Sequence, residues 1–365
     1  PDDKKLNKIK IDATDFEAST NKLNEERKKL STKDRVAYTS HTMFYPFTID
    51  DCFLSSSQNL FPVEYAIKHK NDLLESGQYS GMLCDVFLES GNKLGTTKSN
   101  KQLAGFPFSG GVIDAPVQIF EMPQSNRFDD FIYVAGQDPY KQAKSDTPSL
   151  GSFYIFKRRV GIRDPYAYRI VASYVSRPSS IDQFCRTCEV LQKGYGAICL
   201  MENADQMYEQ YLNRKSGMPA SFFLFAGEAI ANKYVKAGSR QNSKLGLYPT
   251  PGNQNLLFSC VVDYCWQDFV IGYDDQTGLD ITVKGIELID DIALLDEIIQ
   301  YKPGLNVDRI IAFGHALVLA RYFDDNNYMP KSKIEEMNNA RKEDAYKHHE
   351  VYASAFGSVS IGAFR

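Results

Sequence analysis

The chain has 365 residues, of which 43% are apolar and 24% charged, with 7 cysteines and a net charge of −4. That is enough for two or three domains, or for one large domain with appendages, and for a sizeable core. No apolar run reaches the ~18 residues of a membrane span, and an odd cysteine count without a second close pair argues against a disulfide framework or a zinc finger. The charge neither marks nor excludes a nucleic-acid partner, since an acidic metal site and a basic groove cancel in the sum.

The amino-terminal run Pro1-Asp2-Asp3-Lys4 has neither an initiator Met nor an apolar leader, which leads to the expectation of a cytosolic fragment of a longer protein. Residues 1–36 are rich in Lys, Asp, Glu and Asn, with a sparsely apolar helical stretch over Phe16–Leu30. From His41 to Leu54 the pattern predicts an extended segment, a turn, and a short helix started by Thr48, with Asp51 at capping-box spacing. Asn59-Leu60-Phe61-Pro62 closes this unit, and Val63–Leu74 resumes as a helix.

Residues 63–130 are expected to form a small β-rich connector, with strands over Gly81–Leu88 and Val117–Glu121. Gly91-Asn92-Lys93-Leu94-Gly95-Thr96-Thr97-Lys98-Ser99 lies between them and imitates a phosphate-binding loop. The spacing of its glycines and lysine does not fit that loop, so a polar hairpin loop is predicted, and no ATP site.

Residues 131–330 are more regular. The first predicted strand is Phe131-Ile132-Tyr133-Val134-Ala135-Gly136-Gln137-Asp138, closed by Pro139, which holds Asp138 extended. Gly151–Phe156 and Tyr168–Val175 are two more strands, and the short connections suggest an antiparallel meander. A helix over Ile181–Lys193 follows, started by Ser180 with Gln183 three residues on, and it buries Cys185 and Cys188 as core residues. Then come a strand over Ala197–Glu202, a helix over residues 204–213 and a strand over Ser221–Phe225.

Three meander strands, helix, strand, helix, strand is the order of the ribonuclease H-like fold, an α/β mixed sheet flanked by helices. In that order the first and fourth strands lie side by side in parallel, so Asp138 and Glu202 emerge together at their carboxyl ends.

Past the sheet, Ala226–Lys244 carries Lys233, Lys236, Arg240 and Lys244. It reads either as a solvated loop or as a flexible basic loop against a phosphate backbone. Thr250-Pro251-Gly252 precedes an amphipathic helix with Leu256, Leu257, Cys260, Val261, Tyr264 and Cys265 on its buried side, and Leu288–Tyr301 is predicted as another. The last helix of this region, Asn306–Ala320, is apolar nearly all round and has one early carboxylate, Asp308. Both a capping role and a site role fit Asp308. Residues 331–365 follow as a charged helical tail in which His348 and His349 sit among Lys and Glu, as solvated side chains and not as ligands.

Two strand-end carboxylates and one from a helix start repel one another unless cations neutralise them. All-oxygen ligands suit Mg2+ or Mn2+ and not zinc, and two such ions clamp the attacking and leaving oxygens of an in-line displacement at phosphorus. Asp138, Glu202 and Asp308 are therefore the candidate metal ligands and catalytic residues, with Asp205 as a further acid. His315, about two turns beyond Asp308, is assigned to the core.

The order of these motifs, together with Tyr45-Pro46-Phe47-Thr48-Ile49-Asp50-Asp51-Cys52-Phe53-Leu54 and Asn59-Leu60-Phe61-Pro62, resembles the carboxy-terminal half of the tailed-bacteriophage terminase large subunits over residues 40–325. In that family a Tyr-Pro-x-Thr-x-x-Glu-Ala-Phe-like segment closes an ATPase half and a ribonuclease H-like nuclease follows. Here Asp51-Cys52 replaces Glu-Ala, and Asn306-Val307-Asp308-Arg309 offers one acid where many members show a His-Asp-Asp run.

The resemblance implies that residues 1–62 are a remnant or linker after a missing ATPase domain. It implies a two-metal endonuclease that cuts concatemeric double-stranded viral DNA in the cytoplasm of a bacterial host. It also implies a tail that contacts the portal, and work alongside the other terminase subunits. A resolvase or integrase of the same fold, and a non-catalytic docking module, are the competing readings.

Overall fold

The computed structural model describes residues 16–31, 41–42, 45, 47, 59–76, 81–140, 149–159, 167–204, 206–217, 219–235, 245–274, 277–302 and 304–328. The expected Thr48 helix, Asp205, and the tail with His348 and His349 lie outside them. In chain order the elements are α1 (Phe16–Ser31), α2 (Val63–Ser76), β1 (Met82–Leu88), β2 (Leu94–Lys98), β3 (Val117–Ile119), β4 (Tyr133–Asp138), β5 (Gly151–Lys157) and β6 (Arg169–Ser176). They continue with α3 (Ile181–Tyr195), β7 (Ile198–Met201), α4 (Met207–Lys215), α5 (Gly227–Tyr234), α6 (Pro251–Trp266), β8 (Asp268–Asp274), β9 (Leu279–Lys284), α7 (Ile292–Ile299) and α8 (Asp308–Asp325). No helix among the described residues is long and apolar enough to cross a membrane.

Seven strands form one mixed sheet in the order β2-β1-β3-β6-β5-β4-β7. The antiparallel meander β4-β5-β6 is present as expected, and β7 lies parallel to β4 at the sheet edge. The strands of the 63–130 region belong to the same sheet, because β3 pairs antiparallel with β6. All the α/β character follows from faces. Strands β4 to β7 are buried almost throughout, as near-continuous apolar runs covered by helices must be.

Helix α3 covers one face, burying Phe184, Cys185, Cys188 and Leu191. It ends at Gly196, whose φ of 60° only glycine adopts readily and whose N–H donates to the Gln192 and Lys193 carbonyls. The other face is covered by α8 backed by α6. Here Gly136 of β4 matters, because a Cβ on it would stand 2.0 Å from the Ala312 carbonyl oxygen and 2.4 Å from the Ala316 nitrogen. The backbone of α8 therefore lies directly on the strand that carries Asp138.

His315 is fully buried on α8, its Nδ1 2.9 Å from the Ile311 oxygen, and burial pushes its pKa down to about 4. It is a neutral core residue, as expected.

Several local expectations are corrected. Residues 94–98 are not loop: Leu94–Lys98 is strand β2, paired antiparallel with β1 after a single turn at Ser90–Asn92. The β-branched Thr96 and Thr97 suit a polar edge strand, which a reading for phosphate loops passes over. The predicted strand at Ser221–Phe225 is instead a short 3-10 turn, Ala220–Phe222, followed by one parallel bridge between Cys199 and Leu224. An aromatic run does not distinguish a strand from a buried irregular segment. In this case Phe222 and Phe223 pack edge-on against Phe128.

The helix expected over Leu288–Tyr301 shrinks to α7, where Asp291 caps the amide groups of Ala293 and Leu294 at 3.0 and 3.1 Å. The β8–β9 hairpin ahead of it was not predicted. Ser180 occupies the cap position of α3 without a side-chain cap bond, and Gln183 donates instead to Asp114 at 3.1 Å.

Candidate active site

The parallel pairing of β4 and β7 sets the first two acids. Gln137 is in register with Met201, and the Glu202 N–H donates to the Gln137 carbonyl at 2.9 Å. Asp138 and Glu202 therefore leave the carboxyl ends of neighbouring parallel strands, both half-buried. Beyond β7 the chain returns at Leu247, which bridges Glu202 in parallel and donates to the Met201 carbonyl at 2.7 Å. The backbone on both sides of Glu202 is thus hydrogen-bonded.

Asp138, Glu202 and Asp308 all line one cleft of about 560 Å³. Its remaining wall includes Gln254, Asn255 and Phe258 of α6, with Tyr301 and Asn306. No Lys, Arg or His is among the described residues that line it.

Asp308 is buried and does not cap its own helix. Its Oδ2 accepts from the Leu150 N–H at 2.7 Å and from Asn306 Nδ2 at 2.9 Å, and its Oδ1 accepts from Ser149 Oγ at 3.1 Å. The amide of Ile310 in the first turn of α8 is served by Glu297 of α7, at 2.8 Å. Capping therefore does not explain Asp308. Burial pushes its carboxyl above the ordinary value, against the pull of the Leu150, Ser149 and Asn306 donors. Its neighbour Arg309 points the other way, into the core, with Nη1 3.5 Å from Glu297 and a bond from Nη2 to the Ala104 carbonyl. Burial raises the Glu297 carboxyl to about 8 in spite of that guanidinium.

The donor chemistry of the cleft, carboxylates and amides without sulfur or imidazole, fits a hard oxygen-seeking cation such as Mg2+ or Mn2+. The expected close convergence of three acids is not met. Among the described residues no three carboxylate, His or Cys groups come together as ligands of one ion. Both Asp308 oxygens accept from Ser149, Leu150 and Asn306. The arrangement is a strand-end pair with a third acid lining the same cleft.

Of the basic residues, Lys233 belongs to the last turn of α5, where its Nζ is 3.6 Å from Asp325 and 5.3 Å from the Tyr322 ring centre. Asp325 ends α8 while Asp308 begins it, which separates Lys233 from the cleft by ~25 Å, the length of that helix. Lys236, Arg240 and Lys244 lie outside the described residues.

Sequence reasoning missed Ser149, Asn306 and the pair Phe258 and Tyr301. Asn306, two residues before Asp308, was the one with a local signal. Comparison of the chain with protein-family models, with curated proteins and with solved structures found no match.

Proposed function

We propose that this chain is a metal-dependent DNA endonuclease, with residues 131–330 as a ribonuclease H-like unit of a phage terminase large subunit. The observation that carries the reading is the register of β4 against β7, which sets Asp138 beside Glu202 at two parallel strand ends, in the cleft that Asp308 enters from α8. In this reading the chain cuts concatemeric double-stranded viral DNA in the host cytoplasm, next to the portal and the other subunits of the packaging motor.

Asp138, Glu202 and Asp308 would hold Mg2+ or Mn2+. When bound, two such ions stabilise the charge on the attacking and leaving oxygens of the phosphodiester. The chain's own residues supply position. Pro139 keeps Asp138 extended, and the flanking backbone bonds hold Glu202 where a carboxylate oxygen can orient the attacking water and take its proton. Ser149, Leu150 and Asn306 fix the Asp308 carboxylate. Val307 and Ile311 add apolar surface to the cleft wall.

The test is nicking of supercoiled plasmid in Mn2+. The wild-type chain is expected to convert it to open circles and Asp138→Ala to lose that activity to background. A wild-type chain inert in Mn2+, with no Mn2+-dependent rise in melting temperature, would sink the nuclease reading in favour of a docking module.

A further inference from the structure

The cleft has a wall that hydrolysis at phosphorus does not call for. Phe258, two turns into α6, and Tyr301, just past the end of α7, both line it and are half-buried. Their ring centres lie 4.7 Å apart at 35°. Phe61, itself buried, meets both rings edge-on, 5.3 Å from Phe258 at 71° and 5.7 Å from Tyr301 at 88°. Phe61 is anchored in turn by Asn59, whose Nδ2 donates to the carbonyls of Ile298 and Ile299 at 2.9 and 3.2 Å and whose Oδ1 accepts the Phe61 N–H at 3.0 Å. Two rings braced from behind by a third are held at the rim of an acidic cleft.

Coordination of a cation by carboxylates does not call on an aromatic surface, and leaving one in contact with water forgoes burial. A flat apolar face with polar edges is what such a wall complements. Gln254 and Asn255 lie four and three positions before Phe258, so their amides and the ring share one helix face. Amide groups next to an aromatic plane are the usual means of holding a base by its face and its edge.

We propose that Phe258 and Tyr301 form a stacking platform for an unpaired nucleobase of the strand held at the carboxylates, with Gln254 and Asn255 facing its hydrogen-bonding edge. The inference rests on the nuclease reading above and adds a substrate class to it. A base within a duplex is already stacked, so the platform selects DNA that is single-stranded or locally melted at the cut.

The experiment uses a single-stranded oligonucleotide containing 2-aminopurine, with Ca2+ in place of Mn2+ so that binding is read without cutting. The wild-type chain is expected to change the 2-aminopurine emission on stacking and to bind the single strand more tightly than a blunt duplex of the same sequence. Phe258→Leu and Tyr301→Leu keep apolar volume and remove the ring. Each is expected to weaken single-strand binding by roughly 5- to 150-fold, with Tyr301→Phe restoring it. Melting curves establish that the variants are folded.

Folded Leu variants that bind like the wild type, a wild-type chain that does not take the single strand, or a duplex bound equally well would each overturn the platform. Plasmid nicking in Mn2+ on the same preparations separates the two readings. A chain that nicks without the emission change loses only the platform, and a chain that shows ring-dependent emission without nicking loses only the nuclease.

Discussion

Helix α8 carries Asp308 at its amino end and Asp324 and Asp325 at its carboxyl end, and Asp308 and Asp324 are served in opposite ways. Asp324, at the carboxyl terminus, receives two guanidinium N–H groups from Arg158, at 2.6 and 3.1 Å, and Arg158 is 3% exposed. Asp308, at the amino terminus, receives three neutral donors. The helix dipole acts in the same sense as this difference, favouring an anion at the amino terminus and disfavouring one at the carboxyl terminus. Asp324 is paired within the fold, whereas the donors that Asp308 accepts from carry no charge.

The largest effect is expected from Gly136→Ala, because a methyl group 2.0 Å from the Ala312 carbonyl oxygen must push α8, and Asp308 with it, off β4. A loss of about 3 kcal/mol in urea unfolding is expected, at the upper end for overpacking. An unchanged midpoint would mean that α8 does not sit on the strand as described.

Next is the response to metal. At Mn2+ about a hundredfold above its dissociation constant the wild-type chain should gain about 2.7 kcal/mol of stability, and Asp308→Asn should lose most of that gain. Without metal the same variant is expected to stay within about 1 kcal/mol of the wild type at neutral pH, since asparagine removes a buried charge. Its pH profile supplies the sign. Burial raises the Asp308 carboxyl above 3.8, so the folded chain retains a proton that the unfolded chain has lost. Stability from this group is full below pH 3.8 and falls as pH rises through the folded value. Asp308→Asn should flatten that fall in thermal melts across the acid range. A variant as steep as the wild type would show that Asp308 is not the group responsible.

At the other end of the helix, Arg158→Met should cost about 2 kcal/mol in thermal unfolding. This is less than breaking a fully buried pair, because the Asp324 side chain retains 35% exposure. Adding Asp324→Asn should recover much of the loss, and failure to recover would remove the ion pair as its cause. The smallest effect is expected from Thr250→Ala. It removes the 3.2 Å cap bond from the Asn253 N–H at the start of α6, at a cost of about 1 kcal/mol in the same melts. A neutral result would show that the cleft-side end of α6 is held by its packing alone.

Much of the fold was legible because its strands are buried runs bounded by Pro, Gly and Ser. β4, β5 and β6 could be read to within two residues, and their meander followed from short connections. The β8–β9 hairpin was not legible. Asp268 and Asp274 bound β8, and although Leu279-Asp280-Ile281-Thr282-Val283-Lys284 alternates apolar and polar residues, much of both strands is exposed, so no buried run marks the hairpin. The run at residues 221–225 misled for the opposite reason, since it is apolar enough for a strand yet reaches β7 through one bridge.

The placement of Asp138 at a strand end was determined by the sequence alone, through the apolar run before it and Pro139 after it. The same holds for Glu202 and for the buried character of α8, because local pattern dictates which residues end an element. The parallel pairing of β7 with β4 followed from the order of the elements and is present, whereas only the tertiary structure decided that α8 can lie on Gly136. It also decided that Asp308 faces Ser149 and Leu150 and that Phe258 and Tyr301 form a second wall. Each of these joins residues far apart in the chain, and no local periodicity encodes which distant surfaces will meet.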